Sequence, residues 1–344
     1  MNTHILITDE FTHDTVIKNS FWALKFVDLC PNNIDEIINA QFANPRKPYY
    51  AMFCDFFSLR EGDLIFLYKR QVGFFGIYKV DGEPFFDNSK IDNINGNYPF
   101  RIKIKCINFF EKPVPEELLF SNKEYESIFW SWFYRKIQGS RGINTITPES
   151  TQSMIELLIK INGNSILPPH TNLYGTKKSK PIILPLSRNG ESKVFIEDAL
   201  RYHIIKNISR DKSLEKIFGK SEDIEWFANN VPYHVSGKNI DILVFHKNMK
   251  YTGYPLRYKF SVVELKRDKA DDCTISQVLD YSKWVSSRLA NSEIETVQPI
   301  VIANDFTSKA IQKTKLTEFN NRKIMLFRYK VENDINVIFE PVEV

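Results

Sequence analysis

The sequence predicts two domains, an N-terminal α+β domain on a small β-barrel with helices and a C-terminal α/β domain. The chain has 344 residues, about twice the length of a common domain. A segment rich in Pro, Gly, Asn and Lys, near residues 161–190, lacks helical periodicity. Of the 47 aromatic residues, 28 lie in residues 1–134. We therefore expect domains at residues 1–165 and 191–344, joined by a linker at residues 166–190.

The composition predicts a folded intracellular protein. Hydrophobic content of 43% and charged content of 26% are ordinary for globular chains. There is no apolar run of membrane-spanning length, and the start MNTHILITDE lacks the features of a secretion signal, so we expect cytoplasmic localisation and no membrane partner. The four cysteines are widely spaced, which indicates reduced structural thiols. A net charge of +4 permits a polyanionic partner without demanding one.

Short β-rich runs between turn signals predict the strands of the first domain. They read GDLIFLYKR, GFFGIYKVDG and YPFRIKIKCINFF. Helices are predicted at Asn33–Ala40 and at Glu149–Ile161, where Thr147 and Pro148 supply a cap and a first turn. A small mixed barrel with peripheral helices fits this pattern.

The second domain opens with a predicted helix at residues 192–208, whose apolar residues recur near helical spacing. Strands are predicted at Asn239–His246, Lys259–Lys266 and Pro299–Ala303. A helix between the last two strands has these residues on its apolar side: Ile275, Val278, Leu279 and Trp284. The order helix, strand, strand, helix, strand indicates an α/β core.

Three charged residues on two neighbouring strands form the strongest candidate site. Asp241 begins the apolar strand DILVF, where a carboxylate is costly unless it is used. Glu264 and Lys266 are two residues apart in FSVVELK, so their side chains share one face, while Leu265 points into the core. If the two strands form a hairpin, Asp241 and Glu264 meet at one end of the sheet.

These residue types suit metal-dependent phosphodiester hydrolysis. Asp241 and Glu264, with a backbone carbonyl such as that of Leu265, would hold Mg²⁺ (or Mn²⁺). Lys266 would orient or deprotonate the attacking water and offset negative charge on phosphate. Three further candidates lie on predicted helices, namely a third carboxylate and two residues that are one helical turn apart: Glu197, Gln277 and Tyr281.

Each element also has a structural explanation. A Glu-x-Lys pair on a strand is usually a surface salt bridge, and Asp241 could cap the turn that precedes it. Gln277 and Tyr281 could be ordinary exposed helix residues. A catalytic site is favoured by the order of these residues along the chain: a Glu on a helix, an Asp on one strand, Glu-x-Lys on the next strand, and Gln and Tyr on the following helix.

The segment from NIDILV through VVELKRDKADDCTISQVLDY resembles the PD-(D/E)xK nuclease core, and especially mismatch- and branch-cutting endonucleases of the NucS type. The resemblance spans roughly Val194–Val331. The resemblance implies an α/β nuclease fold and catalytic roles for the six candidates named above. In that fold Glu197 would be the carboxylate on the first helix. The insert HKNMKYTGYPLRYKF and the N-terminal region depart from that group, so nuclease chemistry is better supported than mismatch specificity.

The first domain resembles the EVE branch of the PUA-like fold in the order of five pieces: Phe21-Trp22, GDLIFLY, FFGIYKVDGEPFFD, YPFRIKIK and SRGINTIT. The resemblance implies a pocket that cradles a modified or flipped base, with stacking on aromatic faces. The candidates for that pocket are Trp22, Tyr50, Tyr68, Phe85 and Arg141. Aromatic residues of a small barrel are more often core than ligand cage, and the sequence does not decide which these are.

Together the two resemblances predict a Mg²⁺-dependent endodeoxyribonuclease that acts, in the manner of a restriction enzyme, on double-stranded DNA carrying a modified or unusual base. Cutting both strands would favour a homodimer. A repair endonuclease directed at mismatched or branched DNA and a non-catalytic reader of modified nucleic acid are the alternatives. Lys177, Lys178 and Lys180 could contact phosphates or form a solvated basic run.

Overall fold

The computed structural model describes residues 1–26, 29, 31–91, 98–133, 141–163, 167, 182–233, 237–249, 256–317 and 322–344. The chain divides into two compact units, Met1–Ile182 and Ile183–Val344. Most of the predicted linker, including the three lysines at positions 177, 178 and 180, lies outside the described residues, so the linker bounds stay a prediction. The two units are mixed α/β structures with one main sheet each.

The first unit alternates short helices with strands. Its strands are β1 (Thr3–Thr8), β2 (Phe21–Leu24), β3 (Leu64–Lys69), β4 (Gly73–Val80), β5 (Phe85–Phe86), β6 (Phe100–Asn108), β7 (Val114–Pro115) and β8 (Ile143–Ile146). Its helices are α1 (His13–Asn19), α2 (Ile34–Ala43), α3 (Tyr49–Phe56), α4 (Glu116–Phe120), α5 (Lys123–Ile128) and α6 (Pro148–Asn162). The strands and helices predicted for this unit are confirmed; β1, β7, α1, α3, α4 and α5 were not predicted.

The sheet of the first unit has the order β2-β6-β4-β3-β1-β8, with β5 added on β6 and β7 on β4. β1 and β3 are parallel, and the other pairs are antiparallel. Within the described ranges no ladder joins β2 to β8, so a closed barrel stays a prediction. The two ends of the sheet nevertheless approach each other, because Trp22 of β2 donates its indole N–H to the carbonyl of Ile7 in β1, at 3.0 Å.

The second unit is built on a six-stranded sheet with the order β14-β13-β12-β11-β10-β9. Its strands are β9 (Ile224–Tyr233), β10 (Lys238–Asn248), β11 (Leu256–Ala270), β12 (Val297–Phe306), β13 (Met325–Glu332) and β14 (Asn336–Pro341). Its helices are α7 (Glu197–Asn207), α8 (Glu215–Phe218), α9 (Asp272–Leu289) and α10 (Ser308–Leu316), with 3₁₀ turns at Lys212–Leu214, Ser221–Asp223 and Ile294–Thr296.

Connection lengths explain the mixed sheet. β10 and β11 pair antiparallel as a hairpin, whereas β11, β12 and β13 are parallel and need the crossover helices α9 and α10. α9 starts with a capping box at Asp271 and Thr274, and it packs against β11 and β12. The predicted α/β core is therefore confirmed, and β11, one of its two central strands, carries Glu264 and Lys266.

Two predictions for the second unit need correction. The helix predicted at residues 192–208 begins only at Glu197, because Phe195 and Ser192 bond through their main chains to Leu186 and Val331. The strands β13 and β14 were not predicted, and neither was β9. Its polar interruption at Asn229 and Asn230 hides the alternation of a strand, and Asn230 has a left-handed φ of 49°.

Candidate active site

The hairpin of β10 and β11 brings Asp241 beside Glu264. Ile242 faces Val263 in the register, which sets the two carboxyl-bearing residues next to each other at the same end of the hairpin. The main-chain N–H of Leu265 donates to Asp241 Oδ2 at 2.8 Å. Asp241 is only 7% exposed, so this carboxylate is held inside the end of the sheet.

The alternation of β11 puts Glu264 and Lys266 on one face and buries Leu265 on the other. Lys266 Nζ lies 2.6 Å from Glu264 Oε1. Glu264 is 2% exposed, whereas the Lys266 side chain is 29% exposed. Glu264 therefore lies in the interior and Lys266 reaches the surface. The two side chains lie on the same face of β11, as predicted.

Helix α7 adds a third carboxylate to this cluster. Glu197 stands in the first turn of the helix, and its Oε2 is 3.9 Å from Lys266 Nζ. Its side chain is 35% exposed, so it lies at the mouth of the cluster rather than at its base. The structure therefore brings together Glu197, Asp241, Glu264 and Lys266, which are far apart in the sequence. We call these four residues the carboxylate cluster.

Burial and mutual repulsion perturb the protonation of the carboxylate cluster. Burial, followed by the charge of Asp241, raises the pKa of Glu264 to about 8 and that of Glu197 to about 7, against the opposing effect of Lys266. Burial works to lower the pKa of Lys266, but Glu264 and Glu197 outweigh it and the pKa is raised. Acids whose pKa lies near neutrality are a feature of active sites, although ion-pair networks also produce them.

One buried carboxylate oxygen of the cluster lacks a hydrogen-bond partner among the described residues. Glu264 Oε1 accepts from Lys266, but Oε2 is buried and has no hydrogen-bond partner within the described part of the chain. A buried carboxylate oxygen without a partner costs about 1–3 kcal/mol or more. Oxygen ligands from two or three carboxylates and a main-chain carbonyl are the donor set that Mg²⁺ and Mn²⁺ prefer. The residues present therefore fit a divalent cation.

Gln277 and Tyr281 share one face of α9, as predicted, and bond to each other. Gln277 Nε2 donates to Tyr281 Oη at 2.8 Å. Burial raises the pKa of Tyr281 to about 12, with further contributions from the charges of Glu264 and Asp241. The charges of the carboxylate cluster therefore act on the Gln–Tyr pair.

Arg201 is the residue of this region that the sequence did not indicate. It lies one helical turn after Glu197, and its guanidinium is 3.0 Å from Asp241 Oδ1 and 2.9 Å from Asp198 Oδ1. The Arg201 side chain is 8% exposed. The sequence shows that Arg201 is one helical turn from Glu197, but it does not show that Arg201 contacts Asp241.

A cavity of about 440 Å³ lies in the first unit. Trp22 and Arg141, two of the five predicted base-binding residues, line it. Gly142 lies against the indole, since a Cβ there would sit 3.0 Å from the ring of Trp22. Arg141 Nη1 is 2.9 Å from Asp55 Oδ2 on the same wall. The cavity volume falls within the range of about 300–1,000 Å³ that is common for small-molecule sites.

The other three predicted base-binding residues lie elsewhere, which corrects their grouping with Trp22. Tyr50 is fully buried, and its ring packs on Phe53. Tyr68 packs on the core ring of Trp132 and donates its hydroxyl to the carboxylate of Glu116. Phe85 is buried in β5. These aromatic side chains fill hydrophobic core, as aromatic residues of small sheets usually do.

Further cavity-lining residues were missed by the sequence, among them Asp9, Lys25 and Tyr98. Lys25 Nζ lies 5.7 Å from the centre of the Tyr98 ring. Asp9 Oδ1 accepts hydrogen bonds from the main-chain N–H groups of Phe11 and Thr12 and from the Thr12 hydroxyl. These hydrogen bonds outweigh burial and lower the pKa of Asp9, so the wall carries an ionised carboxylate at neutral pH.

No family model and no curated protein sequence matches the chain. A Rhodopseudomonas palustris protein solved by NMR is 12% identical, with a TM-score of 0.32, over 48% of this chain and 97% of that chain. A repair endonuclease from Pyrococcus abyssi is 13% identical, with a TM-score of 0.24, over 71% of this chain and 74% of that chain. EndoMS in its apo form is 21% identical, with a TM-score of 0.19, over 30% of this chain and 40% of that chain. Scores and identities this low do not establish a shared fold.

Within the described part of the chain, no helix combines the length and the hydropathy needed to cross a bilayer.

Proposed function

We propose that the chain is a metal-dependent DNA endonuclease whose carboxylate cluster hydrolyses phosphodiesters. The observation that carries this proposal is the convergence of three carboxylates and one lysine at the end of the β10–β11 hairpin, with the buried oxygen of Glu264 left without a partner among the described residues. A structural ion-pair network would be expected to satisfy its buried oxygens.

The residues of the cluster divide the chemistry among them. Asp241, Glu264 and the main-chain carbonyl of Leu265 would hold Mg²⁺ or Mn²⁺, which when bound supplies Lewis acidity and an activated water. Lys266 keeps its proton, because its pKa is raised, and so donates to a phosphate oxygen as negative charge develops. Glu197, at the mouth of the cluster with a pKa near 7, is suited to accept a proton from the attacking water.

We further propose that the cavity of the first unit binds a modified or extruded base of the same DNA. Tyr98 offers aromatic surface for stacking and the buried indole of Trp22 forms part of the cavity wall, while the ionised Asp9 offers an acceptor for base N–H groups. Two copies of the chain would be required to cut both strands at one place, so a homodimer on double-stranded DNA is part of the proposal.

The test uses the purified full chain on plain, methylated, hydroxymethylated and mismatched duplexes, each with Mg²⁺, Mn²⁺ or EDTA. We expect strand scission with either metal, none with EDTA, and a preference for a modified duplex. Preference for the mismatched duplex would assign the enzyme to repair. Binding of a modified duplex without scission in any metal would make the chain a non-catalytic reader and would rule out the nuclease.

The base pocket makes a separate prediction. Tyr98→Ala should weaken binding of the preferred duplex by about 5- to 150-fold, since stacking of one base contributes about 1–3 kcal/mol. Phe120→Ala is the matched control, because Phe120 is half exposed in the same unit and does not line the cavity. Fluorescence anisotropy with labelled duplex in EDTA measures binding apart from cleavage. Equal affinities for the two variants would exclude Tyr98 from the base site.

A further inference from the structure

The guanidinium of Arg201 joins α7 to β10 through two carboxylates. Nη1 lies 2.9 Å from Asp198 Oδ1 on the same helix, and Nη2 lies 3.0 Å from Asp241 Oδ1 on the strand. The side chains of Arg201 and Asp241 are 8% and 9% exposed, whereas that of Asp198 is 28% exposed. The inner contact is therefore shielded from water and the outer contact only partly so.

Asp241 is held at both of its oxygens. The N–H of Leu265 donates to Oδ2 at 2.8 Å, and Arg201 contacts Oδ1 from the opposite element. A carboxylate bonded at both oxygens cannot rotate without breaking a charge-assisted hydrogen bond, yet each oxygen keeps a lone pair for another ligand. The plane of Asp241 is thus fixed before any ion arrives.

We propose that Arg201 is a positioning residue for Asp241, which it orients for binding of a divalent cation by the carboxylate cluster. This inference rests on the proposed function of that site. Arginine suits the role because its planar fork reaches two acceptors on different elements at once, whereas the ammonium of a lysine is a single point charge. Carboxylates that ligate metals are commonly oriented by such outer hydrogen bonds.

The experiment measures Mn²⁺ affinity of the full chain without DNA, by electron paramagnetic resonance of free Mn²⁺, together with the melting temperature. We expect Arg201→Lys to weaken Mn²⁺ binding by about 10- to 100-fold, the usual cost of losing an orienting partner. Asp198→Asn, which loosens only the outer end of the fork, should weaken it less. The matched control is Arg257→Lys: Arg257 Nε lies 2.7 Å from Glu225 Oε2 in the same sheet, and Arg257 faces Lys247, six residues along β10 from Asp241.

The control separates positioning from stability. Arg257→Lys should lower the melting temperature and leave Mn²⁺ affinity unchanged, whereas Arg201→Lys should lower both. Wild-type affinity in Arg201→Lys, or an equal loss in Arg257→Lys, overturns the inference and leaves the proposed function standing. Should Arg201→Lys not fold, unchanged affinity in Asp198→Asn overturns it instead. A wild-type chain that binds no Mn²⁺ overturns both proposals.

Discussion

We expect Lys266→Ala to lower Mg²⁺-dependent cleavage by roughly 10²–10⁴-fold, the usual loss when a positioned acid–base or charge-stabilising group is removed. Lys266 Nζ is 2.6 Å from Glu264 and 3.9 Å from Glu197, so the alanine variant removes the ammonium group that lies beside these two carboxylates. The measurement is the single-turnover rate of cleavage on the preferred duplex at saturating Mg²⁺.

Lys269→Ala is the matched control for this change. Lys269 stands three residues further along β11, its side chain is 67% exposed, and its Nζ pairs with Asp305 at 2.9 Å on the surface. Removal of a surface ion pair alters stability by at most about 1 kcal/mol. We therefore expect a wild-type cleavage rate from Lys269→Ala. Similar rates from the two variants would remove Lys266 from the chemistry.

The second large effect concerns Glu264 and pH. Its pKa is raised from 4.5 to about 8 by burial and by Asp241, so the folded metal-free protein retains a proton that the unfolded chain releases above pH 4.5. The stability from this proton is fully present below pH 4.5 and is lost between pH 4.5 and about 8. Because one pKa unit corresponds to about 1.4 kcal/mol, the wild type should lose a few kcal/mol that Glu264→Gln keeps.

Calorimetric unfolding in EDTA at pH 5, 6.5 and 8 measures this difference, with Glu332→Gln as the control. Glu332 is exposed on β13 of the same sheet, so the control removes a carboxylate without touching the cluster. Mg²⁺ should raise the wild-type melting temperature more at pH 8 than at pH 6.5, since a ligating carboxylate must be ionised. It should not raise that of Glu264→Gln. Parallel pH profiles for wild type and Glu264→Gln would show that Glu264 titrates normally.

The centre of the candidate site was predictable because it depends on local periodicity. Glu264 and Lys266 share a face through the two-residue repeat of a strand, and the adjacent strand of a hairpin is where Asp241 must be. Gln277 and Tyr281 follow from helical spacing in the same way. These regularities are set by the backbone, so a single sequence is enough to see them.

The contact made by Arg201 and the starting residue of α7 could not be predicted, because both depend on contacts between segments that are distant in the sequence. The contact of Arg201 with Asp241 spans forty residues, and main-chain bonds from Ser192 and Phe195 to remote partners stop α7 from starting earlier. The aromatic predictions failed in part for a related reason. Residue type alone did not distinguish Trp22, on a cavity wall, from Tyr68, in the core.

Cleavage by Asp241→Ala is the most direct test of the carboxylate cluster as a nuclease site. Asp241 is the carboxylate on which both Arg201 and the main chain of β11 converge, and the proposed mechanism has no substitute for it. Wild type and variant are incubated with the preferred duplex and Mg²⁺, after far-ultraviolet circular dichroism has shown that both are folded. We predict strand scission by the wild type and none above the EDTA background by Asp241→Ala. Equal Mg²⁺-dependent scission by the two proteins would contradict the assignment.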